Sequence, residues 1–298
     1  MAWNQLTLYA SRAIAEQLST SLEDLGAVSV TLKEGGAEEI LEPLPGETPL
    51  WRDTQVVGLF DQAQDIHRLV ETLKQIAGVA SFPRYTIEAI ADQDWERAWL
   101  KDFKPMRFGR NLWIVPSSHA PLDEHAVNIM LDPGLAFGTG THATTALCLQ
   151  WLDANNVCDQ VVIDYGCGSG VLAIAAAKLG AKKVYAVDID PQAITATQQN
   201  ALNNAVHGLI DACLVDTFEE KLADVLLANI LANPLETLAS SFATLLRPSA
   251  DIVLSGILET QADAVLQVYS QWFDMNPVQR QAGWALLSGK KKVTTQGV

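Results

Sequence analysis

The first ninety residues alternate between the hydrophobic period of strands and that of helices. WNQLTLYA and AVSVTLKEG alternate polar and apolar positions, as half-buried strands do. SRAIAEQLSTSLEDLG and DIHRLVETLKQI place apolar residues three or four positions apart, which is typical of amphipathic helices. Together with the strands TQVVGLF and YTIEAIA, the order is β-α-β-β-α-β, that of a ferredoxin-like domain. No catalytic pattern accompanies it, so we interpret residues 1–91 as a binding or recognition module.

A different pattern begins near residue 144. Buried strands such as VVIDYG, KVYAVDID and ADVLLANI are each followed by a single helix. The last helix of this pattern is QADAVLQVYSQW, which follows the strand ADIVLSGI. This alternation predicts a doubly wound, mostly parallel sheet, which binds ligands at the C-terminal ends of its strands. We therefore expect residues 104–298 to form an α/β, Rossmann-like domain. It opens with two strands in KPMRFGRNLWIVPS and AVNIMLDPG, and its end, GKKKVTTQGV, is expected to fray.

The segment between the two patterns, residues 92–103, reads DQDWERAWLKDF. Trp95 and Trp99 lie four positions apart and would share one face of a helix. We interpret this segment as a connector helix, and the alternative is an ordinary first helix of the second domain.

Composition narrows the classes of function. The 298 residues are 49% hydrophobic and carry a formal net charge of −15, which is globular and strongly acidic. Such a charge disfavours direct binding to nucleic acid and would suit a basic partner. The four cysteines form no CxxC pair and no Cys/His cluster, so no metal site is predicted. The first residues lack the pattern of a signal peptide, and we expect a cytoplasmic monomer without a membrane span.

The strand VVIDYG runs into a turn that contains Gly166, Gly168 and Gly170, after which a helix begins. Glycines in such a turn permit positive φ angles and let a nucleotide approach the backbone closely. Asp188 ends the next strand, and a carboxylate at that position can accept hydrogen bonds from both hydroxyls of a ribose. NAD and S-adenosylmethionine both contain that ribose, so the turn and Asp188 leave the choice of cofactor open.

Two polar residues favour S-adenosylmethionine. Asp164, two positions before the first glycine, can hold the ammonium group of a sulfonium amino acid. Asn229, in LLANILANPL at the end of a later strand, can offer its side-chain carbonyl to an incoming amine. Asn229 could alternatively cap the helix that follows. Asp190, directly before Pro191, is interpreted as a helix cap.

A second glycine-rich stretch, LDPGLAFGTGTHATT, precedes the first helix of the α/β pattern. Phe137 could pack on the methionine chain of the cofactor or face the target amine. The hydroxyl of Thr145 could meet the cofactor's carboxylate near the positive end of that helix. Thr144 and Thr145 could instead simply cap the helix. We interpret His142 as a hydrogen-bonding loop residue rather than a proton carrier. The glycines at 138 and 140 suggest a loop that closes over the donor.

The stretches DPGLAFGTGTH, VIDYGCGSGVLAIAA, DIDPQAI and NILANPL together resemble the bacterial methyltransferases that modify the eleventh large-subunit ribosomal protein. EPLPGET and DWERAWLKDFKPMRFG extend the resemblance over nearly the whole chain. It implies S-adenosylmethionine as the donor, trimethylation of lysine ε-amines and of the N-terminal α-amine, and an N-terminal ferredoxin-like domain that grips the substrate. Asn229 is the expected catalytic residue. The residues expected to contact the cofactor are Phe137, Thr139, Thr145, Asp164, Gly166, Gly168, Asp188, Ile189 and Asn229.

The chain departs from this family's pattern at two positions. Ala143 stands where proline is usual, and Asn233 where glycine is common. Three other functions remain open from the sequence alone. They are a methyltransferase for another amine, a nicotinamide-dependent oxidoreductase, which GSGVLA would permit, and a non-catalytic binder of ribosomal protein.

Overall fold

A computed structural model describes residues 3–36, 50–79, 81–90, 104–132, 142–219 and 221–293. The chain divides into two compact units, Met1–Ala98 and Trp99–Val298. The segment predicted as a connector helix, residues 92–103, lies outside the described residues. No helix in the described ranges is long and apolar enough to cross a membrane.

The first unit has the predicted β-α-β-β-α-β order. Its elements are β1 (Trp3–Ser11), α1 (Arg12–Asp24), β2 (Ser29–Glu34), β3 (Asp53–Asp61), α2 (Ile66–Ile76) and β4 (Arg84–Ile90). The four strands form an antiparallel sheet in the order β2-β3-β1-β4, which confirms the ferredoxin-like prediction. Alternate residues of β1, such as Leu6 and Leu8, are fully buried with Leu18 of α1 and Leu73 of α2.

The second unit is an α/β domain built on one large sheet. Its remaining strands are β5 (Met106–Phe108), β6 (Leu112–Val115), β7 (Val127–Met130), β8 (Val161–Tyr165), β9 (Lys183–Asp188), β10 (Ile210–Leu214), β11 (Ala223–Asn229), β12 (Leu246–Leu258), β13 (Phe273–Met275), β14 (Gln279–Gln281) and β15 (Trp284–Lys291). Its helices are α3 (Ala143–Ala154), α4 (Val171–Lys178), α5 (Pro191–Asn203), α6 (Ala232–Leu245) and α7 (Ala262–Tyr269). The large sheet has the order β10-β9-β8-β11-β12-β15-β13, with β14 paired to β15.

Strands β8 to β12 are parallel, which confirms the doubly wound prediction. The end of the chain differs from what its sequence suggested. Residues Gly289 to Lys291 do not fray but belong to β15, which lies antiparallel between β12 and β13. Leu286 and Leu287 explain this difference, because each is buried in the core on a different side of the sheet. Lys290 then pairs with Asp251 of β12 at 2.9 Å.

The first three strands of the second unit form a small sheet in the order β5-β6-β7. The segment KPMRFGRNLWIVPS, predicted as one strand, is in fact the hairpin of β5 and β6. Gly109 adopts a φ of +67° in its turn, and the carboxylate of Asp153 accepts hydrogen bonds from the backbone of Arg110 and Asn111. Strand β7 runs parallel to β6 and ends two residues before the described range stops at residue 132.

Candidate functional site

The candidate site lies where β8, β9 and β11 end. Tyr165 at the end of β8 is paired with Val187 of β9 on one side and with Ala228 of β11 on the other. The three strands are parallel neighbours, so their C-terminal ends lie at the same edge of the sheet. This edge carries the glycine turn after β8, Asp188 at the end of β9 and Asn229 at the end of β11. Residues far apart in the sequence thus come together, as the strand pattern predicts.

The glycine turn has a backbone that requires glycine. Gly166, Gly168 and Gly170 have φ angles of +79°, +55° and +77°, which side chains strongly disfavour. A Cβ atom on Gly166 would also lie only 2.3 Å from Cγ2 of Ile230. The amide of Gly166 donates to the carbonyl of Val187 at 2.7 Å, which holds the turn against β9. The turn therefore exposes backbone at a position where a side chain would not fit.

The carboxylate of Asp188 links this turn to the next helix. One of its oxygens accepts a hydrogen bond from the amide of Gly168 at 2.9 Å, and the other accepts from the amide of Asp190 at 3.0 Å. Each carboxylate oxygen can accept more than one hydrogen bond, so capacity remains for the two hydroxyls of a ribose. Asp190 caps α5 by accepting from the amide of Gln192 at 2.8 Å, which confirms its structural role.

Ile189 follows directly after Asp188. Its side chain is 83% exposed, the largest exposed fraction among the large hydrophobic residues that the structure describes. An exposed apolar side chain next to a carboxylate that could bind a ribose would suit the flat face of a purine.

Asp164 lies beneath the turn with only 1% of its surface exposed. One oxygen, Oδ2, accepts a hydrogen bond from the amide of Ala173 at 2.9 Å, whereas Oδ1 is buried and has no partner among the described residues. Burial raises the pKa of Asp164 to about 7, and the hydrogen bond from Ala173 opposes this shift while the charge of Asp188 adds to it. An ammonium group would satisfy the unpartnered oxygen, so the site fits the amino-acid end of S-adenosylmethionine.

Asn229, at the end of β11, contacts a predicted site residue from the start of the domain. Its Nδ2 donates to Oγ1 of Thr145 at 3.3 Å, and Thr145 is almost fully buried in the first turn of α3. The alternative that Asn229 caps α6 is wrong, because the cap position is Leu231 and no side chain fills it. With its amide nitrogen held by Thr145, Asn229 presents its carbonyl oxygen as a hydrogen-bond acceptor.

His142, rather than Thr144 or Thr145, caps α3, so the capping alternative for the two threonines is wrong. Its Nδ1 accepts a hydrogen bond from the amide of Thr144 and lies 2.7 Å from the Thr144 hydroxyl. Burial lowers the pKa of His142, which favours a neutral ring. The interpretation of His142 as a hydrogen-bonding residue therefore agrees with the structure.

The sequence analysis missed Trp284. This residue begins β15, and its ring makes an edge-to-face contact with the His142 ring at a centroid distance of 4.7 Å. No motif surrounds it, and only the antiparallel position of β15 brings it to the start of α3. Two predicted cofactor contacts, Phe137 and Thr139, lie outside the described residues, as do the glycines at 138 and 140.

Comparison with known proteins gives a consistent result over nearly the whole chain. A family model described as ribosomal protein L11 methyltransferase (PrmA) matches residues 2–292. The chain is 51% identical over 293 residues to the ribosomal protein L11 methyltransferase of Haemophilus influenzae strain PittEE, covering 98% of this chain and 99% of that protein. A relative of the same name from Nitrosococcus oceani is 50% identical over 292 residues, covering 98% of this chain and all of that protein.

A solved structure is similar as well. The crystal structure of ribosomal protein L11 methylase from Lactobacillus delbrueckii subsp. bulgaricus shares 34% sequence identity, with a TM-score of 0.57. The match covers 64% of this chain and all of the crystallised chain.

Proposed function

The chain belongs to the ribosomal protein L11 methyltransferase family, and on that premise we propose that it transfers methyl groups from S-adenosylmethionine to amines of ribosomal protein L11. The observation that carries the catalytic part of this proposal is the pair of Asn229 and Thr145. The Thr145 hydroxyl holds the amide nitrogen of Asn229, so the carbonyl oxygen of Asn229 can accept a hydrogen bond from the substrate amine.

Bound S-adenosylmethionine would supply an electrophilic methyl group, and the protein's task is to position a neutral amine. An amine whose N–H group donates to the carbonyl oxygen of Asn229 has a fixed orientation, which leaves its lone pair free to point at the methyl group. Asp188 and Asp164 would hold the ribose and the ammonium group of the cofactor. Desolvation of the amine lowers its pKa and favours the neutral form that reacts.

His142 is not assigned the role of a base. Because its Nδ1 accepts from the backbone of Thr144, the proton of the neutral ring resides on Nε2, which then has no free lone pair. We assign the paired rings of His142 and Trp284 to the wall next to the substrate amine, where aromatic faces favour methylated ammonium groups.

We further propose the finer properties that the resemblance implies. Lysine ε-amines and the N-terminal α-amine would be trimethylated on the free ribosomal protein before assembly. Residues 1–91 would recognise the substrate, residues 92–103 would connect the domains, and residues 104–298 would carry catalysis. The net charge of −15 supports a basic protein substrate and disfavours direct contact with RNA. We expect the enzyme to act as a cytoplasmic monomer.

A nicotinamide-dependent oxidoreductase is the competing class of enzyme. Thermal unfolding with S-adenosylmethionine or NAD separates the two, because a ligand at one hundred times its Kd stabilises the folded state by about 2.7 kcal/mol. We expect S-adenosylmethionine alone to raise the Tm. Stabilisation by NAD and not by S-adenosylmethionine would overturn the proposed function.

Replacement of Asn229 tests the catalytic assignment. We expect Asn229→Ala to bind S-adenosylmethionine with little change and to lower kcat by about a hundredfold, since positioning of the amine is lost. Asn203→Ala, at an exposed position near the end of α5, serves as the matched control and should retain activity. Unchanged kcat in Asn229→Ala would remove Asn229 from the catalytic role.

A further inference from the structure

Among the described residues, the surroundings of Asp164 do little to stabilise a negative charge. Its carboxyl group is buried on all sides, and the only hydrogen bond it receives from the described residues comes from the backbone of Ala173. Asp188 of β9 places a like charge near it. Its other ionisable neighbours are the thiols of Cys148 in α3 and Cys167 in the turn, whose pKa is raised by burial and by the charge of Asp164. Neither a lysine nor an arginine pairs with Asp164 within the described part of the chain.

These neighbours make the ionised carboxylate costly. Asp188 adds a like charge, and both thiols are themselves kept neutral by burial, which raises their pKa. The described residues thus provide one hydrogen bond and no positive charge for a group that loses nearly all contact with water. A cation beside Oδ1 would lower the cost of ionising this carboxyl group.

We propose that the protein takes up its cofactor by exchanging the proton of Asp164 for the cofactor's ammonium group, so that each binding event releases a proton. This inference rests on the proposed function, because it assumes a ligand with an amino-acid end. In this exchange the O–H bond of the carboxylic acid breaks and its proton passes to the buffer. The resulting carboxylate forms an ion pair with the ammonium group.

The consequence is an affinity that depends on pH in a defined direction. The pKa of Asp164 is raised to about 7 in the free protein, and an adjacent ammonium group lowers it in the complex. Binding therefore costs the loss of a proton below this pKa and becomes easier as pH rises towards it. If the carboxylate stays ionised in the complex, the Kd should fall about tenfold between pH 5.5 and 7.0.

Calorimetric titration of the full-length protein with S-adenosylhomocysteine measures this linkage without turnover. Titrations in two buffers of different ionisation enthalpy give the number of protons released. At pH 6 we expect about one proton per site. With methylthioadenosine, which lacks the amino-acid end, we expect no proton release. Between pH 5.5 and 7.0 the amine of the ligand remains protonated, so it does not contribute.

Substitution assigns the proton to its residue. Asp164→Asn imitates the neutral carboxyl group and should bind S-adenosylhomocysteine with a Kd that stays constant over the same pH range. The matched control Asp263→Asn replaces an exposed carboxylate of α7 and should keep the tenfold dependence. A flat pH profile in the wild-type protein, or an equal slope in Asp164→Asn, would overturn the proposal.

The proton count in the wild-type protein decides the matter even if Asp164→Asn fails to fold. Binding of S-adenosylhomocysteine without proton release at pH 6 would refute the exchange and leave the proposed function intact. A complete absence of binding would refute the proposed function itself.

Discussion

The close contact between Gly166 of the glycine turn and Ile230 can be tested with another glycine of this chain as a control. Its φ angle is +79°, and a Cβ atom there would lie 2.3 Å from Cγ2 of Ile230. Gly283, in the hairpin that leads to β15, has almost the same φ angle of +80°, but a Cβ atom there would meet nothing within 4 Å. Alanine at the two positions therefore separates the cost of the backbone angle from the cost of the contact.

We expect Gly283→Ala to lower the free energy of unfolding by about 1–2 kcal/mol, the cost of a left-handed residue that carries a Cβ. Gly166→Ala carries the same cost and adds about 1–3 kcal/mol for the overlap with Ile230. The expected total is about 3 kcal/mol. Because the methyl group also displaces the turn, we expect weaker binding of S-adenosylmethionine by Gly166→Ala.

Urea unfolding of both variants provides the measurement, and the double variant Gly166→Ala/Ile230→Ala provides a further check. Removing the Ile230 side chain eliminates the overlap, so the two substitutions should couple favourably when their effects are compared in a double-mutant cycle. Equal destabilisation by Gly166→Ala and Gly283→Ala, without coupling to Ile230, would refute the reasoning that contact with Ile230 requires glycine in the turn.

Three further predictions concern polar residues of the second unit. Asp188→Ala should weaken S-adenosylmethionine binding strongly, since it removes the ribose acceptor and the link to Gly168, and an unchanged Kd in a binding titration would count against this role. Asn204→Ala should lower the free energy of unfolding, measured in urea, by about 2–4 kcal/mol, because the Asn204 side chain hydrogen-bonds both backbone groups of Met130. A change smaller than the error of the urea measurement would contradict this prediction. Without cofactor, Asp164→Asn should be more stable than the wild type at neutral pH. Because the pKa of Asp164 is raised, the folded wild type binds this proton more tightly than the unfolded chain does. The contribution of Asp164 to the free energy of unfolding therefore falls as pH rises from about 4 to 7, and the advantage of the variant should grow over that range by at most about 4 kcal/mol. If the difference in free energy of unfolding between Asp164→Asn and the wild type stayed constant from pH 4 to 7, a raised pKa of Asp164 would be disproved.

Much of the site could be predicted because its residues occupy local patterns. Gly166, Gly168 and Asp188 lie within one strand–turn–helix–strand unit, where spacing alone determines which groups meet. Asp164 and Asn229 could be found for a related reason: each lies in or at the end of a buried strand, and parallel strands of one sheet end at a common edge.

Contacts between distant segments could not be predicted in this way. Asn229 meets Thr145 across 84 positions of the chain, and neither residue carries a local sign of its partner. Trp284 reaches His142 only because β15 inserts antiparallel into the sheet. The lysine-rich end of β15 resembles a fraying terminus in the sequence, so this insertion could not be predicted. The first contact depends on the packing of α3 against β11, and the second on the burial of β15 on both sides of the sheet. Both are properties of the whole fold.

Mass spectrometry of intact ribosomal protein L11 tests the central claim most directly. Recombinant L11 is incubated with the enzyme and S-adenosylmethionine, with reactions lacking either one as controls. We expect L11 to gain mass in multiples of one methyl group only in the complete reaction, and Asn229→Ala to produce almost none of this gain at saturating cofactor. An unchanged L11 mass in the presence of folded enzyme that binds S-adenosylmethionine would contradict the account.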